Sequence, residues 1–388
     1  MIPYGRQDIS DLEAEAVLRV LRSDYLTQGP VVPAFEDVVS RYCGGRCAVA
    51  VNSGTSALHV ACMALGVGPG DVVWTSAITF VASANCARYC GADVDFVDID
   101  ARTWNMSAGC LAEKLSEAQR RGRLPKVVIP VHLAGQPCDM AAIQELSRTY
   151  GFRIIEDASH AIGAEYRGSR VGDCRYSDIT VFSFHPVKVV TTAEGGMAVT
   201  NDSGLASSMR RLRTHGITRD PAEMTHAPDG PWYYQQIELG YNYRLTDLQA
   251  ALGLAQMERI DAFVHARRRL ARRYDEQLAG LPLRLPWQHP DSNSAWHLYV
   301  VRVDAGRTTR GRREIFDALR AAGIGVNLHY IPVYRQPYYE RLGFRPGLCP
   351  EAEAYYAEAI TIPMYAALDD RAQASVVSAV RTATGEPA

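Results

Sequence analysis

Lysine is nearly missing from this chain. Of its 41 basic residues only Lys114, Lys126 and Lys188 are lysines; all the others are arginine. Neither sign of charge is in excess, since 41 basic against 43 acidic residues leave a formal net charge of −2. With no lysine-rich run, that balance argues against a nucleic-acid partner held by a basic surface. No uninterrupted apolar stretch reaches the ~18 residues that a membrane span requires, so no membrane partner is expected. The opening residues, Met1 to Asp8, read as neither a signal nor a transit peptide, and a cytoplasmic protein is expected. The nine cysteines are odd in number and scattered through a long chain, which argues against a disulfide framework. Cys43 and Cys47, like Cys86 and Cys90, have three residues between them, and no histidine accompanies them in a zinc-binding pattern. No metal site is expected, and the cysteines read as small core residues. Gly-x-Ser-x-Gly, internal repeats and low-complexity segments are also absent.

What is present describes a globular chain of 388 residues, 47% hydrophobic and 22% charged, long enough for two domains. Short apolar runs at Ala48–Val51, Val72–Trp74, Val94–Asp98, Lys126–Val131 and Arg153–Asp157 read as strands, separated by helical patterns. Such alternation predicts an α/β fold with a mostly parallel sheet. Residues 1–30 read as an arm, 31–255 as a large domain and 256–388 as a smaller C-terminal α/β domain. The latter is expected to hold strands at 297–302 and 325–329. One long helix is expected from about Asp247 through Leu278. The segment from Thr218 to Glu238, rich in proline and glycine, reads as an exposed excursion.

Three features fall at the carboxyl ends of strands, where α/β folds bind ligands. Lys188 follows the apolar strand Ile179–Phe184 and lies between Pro186-Val187 and Val189-Val190. Among apolar neighbours a lysine loses hydration of its ammonium form, and the free amine becomes a nucleophile. The plainer reading is a packed stem with its head in water. The segment Asn52-Ser-Gly-Thr-Ser56 runs from a strand into a helix, an arrangement that presents N–H groups and hydroxyls to a phosphate, although a simple N-cap accounts for it equally well. Asp157 ends a third strand. A nucleophilic amine, a phosphate cradle and a carboxylate together suit pyridoxal phosphate. Its aldehyde takes the amine, and its ring nitrogen takes an anion that keeps it protonated. Phe80 is the candidate aromatic face for the ring.

Five stretches carry a resemblance: Asn52-Ser-Gly-Thr-Ser-Ala-Leu58, Thr79-Phe-Val-Ala-Ser-Ala-Asn85, Glu156-Asp-Ala-Ser-His160, Phe182-Ser-Phe-His-Pro-Val-Lys188 and Gly240-Tyr-Asn-Tyr-Arg244. In this order they resemble the DegT/DnrJ-type sugar aminotransferases, over nearly the whole chain. The resemblance implies fold type I, the aspartate-aminotransferase-like pyridoxal-phosphate fold, and catalysis on nucleotide-linked keto sugars. Leu26-Thr-Gln-Gly-Pro30, His132-Leu-Ala-Gly-Gln-Pro-Cys-Asp139, Thr191-Thr-Ala-Glu-Gly-Gly196 and His329-Tyr-Ile-Pro332 look most like the pseudaminic-acid-pathway branch. It further implies that Lys188 holds the cofactor as a Schiff base and then shuttles a proton, with pyridoxamine phosphate as the intermediate form. Asp157 would pair with the ring nitrogen, Gly54, Thr55, Ser56 and Ser183 would bind phosphate, and His160 would contact the ring oxygen. Asn242 would reach the phosphate of a neighbouring subunit's cofactor, implying a homodimer with shared sites. Tyr4, Tyr25, Leu26, Thr27, Gln28, His329, Tyr330, Ile331 and Pro332 would line the sugar-nucleotide cleft. The implied reaction takes an amino group from glutamate to the C4 ketone of a UDP-linked 4-keto-6-deoxy-N-acetylhexosamine. A dTDP-keto sugar or a cyclitol ketone is the alternative acceptor, and a non-enzymatic regulator is a remote one. Arg213 and Arg244 are candidates for reading the donor's carboxylate.

Overall fold

The computed structural model describes residues 1–385. Seven strands form the main sheet: β1 (Cys47–Val51), β2 (Val72–Ser76), β3 (Asp93–Val97), β4 (Val127–Ile129), β5 (Arg153–Asp157), β6 (Ile179–Ser183) and β7 (Gly196–Thr200). Their order is β1-β7-β6-β5-β4-β2-β3. Only β7 runs antiparallel to its neighbours. Strands covered by helices on both faces read as continuous apolar runs, and alternate residues serve alternate cores. Val49, Val51, Val73, Ile129, Ile155 and Val181 enter one core, with α3 (Gly54–Ala64), α4 (Ala82–Tyr89) and α7 (Ser203–Leu212). On the opposite face Ala48, Ala50 and Phe182 meet α2 (Val31–Cys43), while Trp74, Val128 and Ile154 meet α5 (Ala108–Arg120) and α6 (Met140–Tyr150).

That alternation decides which carboxylate faces which way. Asp157 shares parity with Ile155 and looks toward α3 and α4. Glu156 turns to the other side, where it accepts from Thr180 Oγ1 at 3.1 Å and lies 2.7 Å from His132 Nε2. Cys138 N–H donates to His132 Nδ1 at 3.2 Å, so the ring proton sits on Nε2 and points at Glu156. This pair anchors the loop from His132 to Gln136 beneath the site.

The expected long helix divides at Arg259 into α8 (Asp247–Glu258) and α9 (Ile260–Gln277), where the Arg259 guanidinium is drawn to Asp8 and Glu13 of the N-terminal arm. Beyond it a second core forms around β8 (Leu283–Arg284), β9 (Tyr299–Val303) and β10 (Ala359–Ile362), an antiparallel sheet packed by α9, α10 (Arg312–Ala321) and a C-terminal helix over Asp370–Thr384. The strand expected at 325–329 does not form. Its backbone is divided between the arm, through Gly325 N–H to Ile2 O at 2.7 Å, and a single bridge from Asn327 to Thr361. The excursion after Thr218 is exposed over most of its length and closes in a two-residue ladder, Ile217–Thr218 against Gln235–Gln236.

Candidate active site

A cavity of about 470 Å³ opens at the carboxyl ends of β1, β5 and β6, between the main sheet and the C-terminal core. Tyr4, Gly54, Thr55, Phe80, Asp157, His160, Ser183, Lys188, His329 and Tyr330 all line it, so half of the residues singled out in the sequence converge there. Lys188 is delivered by a pinched loop. The buried Phe184 is tied through Phe184 N–H to Gly195 O and Thr192 N–H to Phe184 O, both 2.9 Å, and the chain re-enters the core at Val189-Val190. Lys188 N–H then donates to His185 O at 2.9 Å, closing the turn. Burial lowers the Lys188 amine to about 8, although the Asp157 charge pulls the other way. The other two lysines are ordinary: Lys126 pairs with Asp71 and Lys114 with Asp95, each at 2.8 Å.

Asp157 is buried and accepts from Ser83 Oγ at 2.6 Å and from Ser159 N–H at 3.1 Å. Ser83 is shared with Thr79 Oγ1 at 2.7 Å, one turn earlier. This positioning pair was not read from the sequence, although the four-residue spacing of Thr79 and Ser83 in the quoted motif was the available signal. Facing Asp157, the start of α3 lies against Ser183: a Cβ on Gly54 would come within 2.9 Å of Ser183 Cβ. Gly196 of β7 passes so close beneath that its Cβ would meet Ser53 O at 2.3 Å. Glycine at these two positions lets Ser183 and β7 close against the start of α3, whose first N–H groups rim a hollow of the polarity a phosphate requires. Ser56 stands outside that hollow. Its N–H is capped by Ser53 Oγ at 3.1 Å and its hydroxyl donates to Asn52 Oδ1 at 2.7 Å.

Three imidazoles wall the far side. His160 Nδ1 accepts from Ala134 N–H at 3.3 Å, which leaves the proton on Nε2, 3.2 Å from the Tyr330 hydroxyl. Its ring lies 4.5 Å from that of His297, a cavity residue that sequence reasoning missed, whose Nδ1 is buried without a partner. Burial, then the Lys188 charge, holds His160 well below the usual imidazole range. Burial and Lys188 also lower His329, to about 3, while its Nδ1 lies 2.9 Å from Thr361 Oγ1. The neutral rings add no positive charge around Lys188. Phe80 is 57% exposed at the mouth, its ring 6.1 Å from that of Tyr330, leaving an open aromatic face.

Other expected contacts lie elsewhere. Tyr25 and Leu26 are exposed, Thr27 bridges to Thr246, and Gln28 turns with φ 55° onto the start of α8, all outside this cavity. Ile331 is exposed and Pro332 buried just beyond the lining. Asn242 is exposed on a segment held beside β1 by Asn52 N–H to Tyr243 O at 2.8 Å. Arg213 is committed to structure, paired with Glu36 and donating to Ala50 O at 2.7 Å.

A fold-type I sheet, an amine lowered by burial to about 8, a carboxylate locked by a serine and a helix-start hollow define a pyridoxal-phosphate-dependent transferase. Residues 7–381 match the DegT/DnrJ/EryC1/StrS aminotransferase family, and the chain belongs to that family. It is 38% identical over 383 residues to the spore coat polysaccharide biosynthesis protein SpsC of Bacillus subtilis, covering 98% of this chain and 96% of that one. The putative sugar aminotransferase Spr1654 from Streptococcus pneumoniae, in its PMP form, superposes with a TM-score of 0.90 at 31% identity, covering 99% of each chain. Helicobacter pylori PseC, an aminotransferase involved in the biosynthesis of pseudoaminic acid, also gives 0.90, at 29% identity over 99% of each chain.

Proposed function

We propose that this sugar aminotransferase moves an amino group from glutamate to the C4 ketone of a UDP-linked 4-keto-6-deoxy-N-acetylhexosamine. The observation that carries the amino-transfer chemistry is Lys188 and Asp157 in one cavity, the first with its amine lowered by burial to about 8 and the second fixed by Ser83. Likeness to PseC supports the substrate class. When bound, pyridoxal phosphate supplies an electron sink for the pair left behind as a carbon–hydrogen bond breaks. Lys188 would hold it through Nζ and, once displaced, accept and return a proton at that same atom. Asp157 would face the ring nitrogen, Gly54, Thr55 and Ser183 the phosphate, and Phe80 one face of the ring. The Nε2–H of His160 fixes the Tyr330 oxygen, so the Tyr330 proton is free to point into the cavity toward a substrate or ring oxygen. Tyr4 and His329, 5.4 Å apart ring to ring, would bound the sugar.

The second subunit enters through Asn242. Its exposure, with that of Leu239, Tyr25 and Leu26, supports a homodimer in which Asn242 reaches the partner's cofactor phosphate. No helix among the described residues is long and apolar enough to cross a membrane.

The test is spectroscopic. Purified protein with its cofactor should lose its visible absorbance band on adding glutamate and regain it on adding the UDP-linked keto sugar. Recovery with a dTDP-linked keto sugar alone would move the substrate to that class, and a band indifferent to glutamate would remove the donor.

A further inference from the structure

Every amino-acid donor carries a carboxylate beside its amine, yet neither Arg213 nor Arg244 lines the cavity, and among the described residues no other arginine does. Neutral groups are what the wall offers instead. Both nitrogens of His160 are committed, to Ala134 N–H at 3.3 Å and to the Tyr330 hydroxyl at 3.2 Å. His329 is held by Thr361 Oγ1 and packs against Tyr4, at the end assigned to the sugar. His297 differs from both. It is 3% exposed, lines the cavity, and has no partner in the protein at Nδ1. Such groups are rare in folded proteins, because burying one lowers stability.

The ring is held firmly through its backbone. Trp296, just before it, turns with φ 50°, a left-handed conformation that a bulky residue adopts only under constraint. Ala295 N–H donates to Gly135 O at 3.1 Å and Leu298 N–H to Ala134 O at 3.3 Å. From behind, Arg267 Nη1 donates to Trp296 O, His297 O and Met364 O at 3.2, 3.0 and 3.0 Å. Arg267 is 2% exposed, those bonds all go to carbonyl oxygens, and its Nε has no partner. A buried cation without a carboxylate, set behind a fixed imidazole, favours an anion in front of it. Burial, and after it His160, Lys188, Arg267 and His329, holds the His297 ring well below the usual imidazole range, so the ring is neutral. With Nδ1 on the buried side, a bare acceptor is less costly than a bare N–H, and the proton belongs on Nε2.

We propose that the Nε2–H of His297 donates to the α-carboxylate of the amino donor, which makes His297 a specificity-determining residue for the donor half of the reaction. This rests on the amino-transfer reading above but not on glutamate in particular, since every α-amino acid carries that group.

The experiment follows the visible band of the full-length, cofactor-loaded protein through each half of the reaction separately. In His297→Leu the glutamate concentration for half-maximal bleaching should rise about tenfold or more, the worth of a hydrogen bond to a charged group. Recovery of the band should keep its dependence on keto-sugar concentration. His297→Gln, whose amide N–H can stand for Nε2–H, should restore most of the glutamate response. Leucine removes an unsatisfied nitrogen, so His297→Leu stripped of cofactor should melt no lower than the stripped unaltered protein. Lower melting with both halves weakened marks a merely structural role and overturns the proposal. An unchanged glutamate response in both variants also overturns it, as does a loss confined to the sugar half. If the unaltered protein ignores glutamate, the donor named above fails, and the same series is read with glutamine, aspartate or alanine, whichever bleaches the band. A band that none of them bleaches removes amino transfer itself, and this role of His297 with it.

Discussion

Lys188 sits where its ammonium form loses hydration, and its ionisation is the most testable property of the site. The amine lies at about 8 when folded against 10.5 when unconstrained. The unfolded chain therefore holds the extra proton between those values, and stability withheld below about pH 8 is recovered as pH rises through that window. Attachment of cofactor to stripped protein needs the free amine, so its initial rate should climb about tenfold per pH unit up to pH 8 and then level off. Stopped-flow absorbance would follow it. Lys188→Ala should lower turnover by at least about 10²–10⁴-fold, the worth of a positioned acid–base group, with the visible band lost. Ser83→Ala removes one hydrogen bond that Asp157 accepts, for which a cost near 1–3 kcal/mol, or about 5- to 150-fold in kcat/KM, is expected with cofactor still bound. Lys188 and Asp157 were legible because chemistry restricts residue type and because strand parity alone separates Asp157 from Glu156. Ser83 was not, since its spacing from Thr79 was the one signal and nothing local names the carboxylate it serves. Ser56 stands in the same motif, and its hydrogen bonds serve the cap.

At the scale of elements, the start of α3 and the end of β6 form a single construction. Gly54→Ala would press a methyl to 2.9 Å from the Ser183 side chain, and overpacking of that kind costs about 1–3 kcal/mol. Cofactor affinity should fall more than thermal stability, because the same methyl narrows the phosphate hollow; titration calorimetry beside a melting curve separates the two. Under the sheet, His132→Ala would leave Glu156 buried with only Ser177 and Thr180 as partners, and a loss of about 3–5 kcal/mol is expected in chemical denaturation. The strands of the main sheet were legible from their apolar runs. The break at Arg259 was not, because helical periodicity continues across it and only the distant arm draws the side chain aside. The helix over Asp370–Thr384 carries Val376, Val377, Val380 and Ala383 at helical spacing, a signal that was there to read.

For the whole molecule, the cleft lies between two cores, and the chain alone leaves Phe80, Leu239, Tyr25 and Leu26 open. Sedimentation should give a dimer, and Asn242→Ala should release cofactor faster without altering the position of the visible band. The order of the motifs conveyed the fold because the first four of the five mark exits of main-sheet strands. Within its own chain Asn242 is bridged only to Thr214, so a role in a shared site would not show as local pattern. The rarity of lysine also gives the chain a barcode. A lysine-specific protease has three places to cut, after Lys114, Lys126 and Lys188. Borohydride treatment of the loaded protein should fix the cofactor to Lys188 and shield that bond, so that residues 127–388 survive as one fluorescent fragment on a gel. Stripped protein would yield two dark ones in its place.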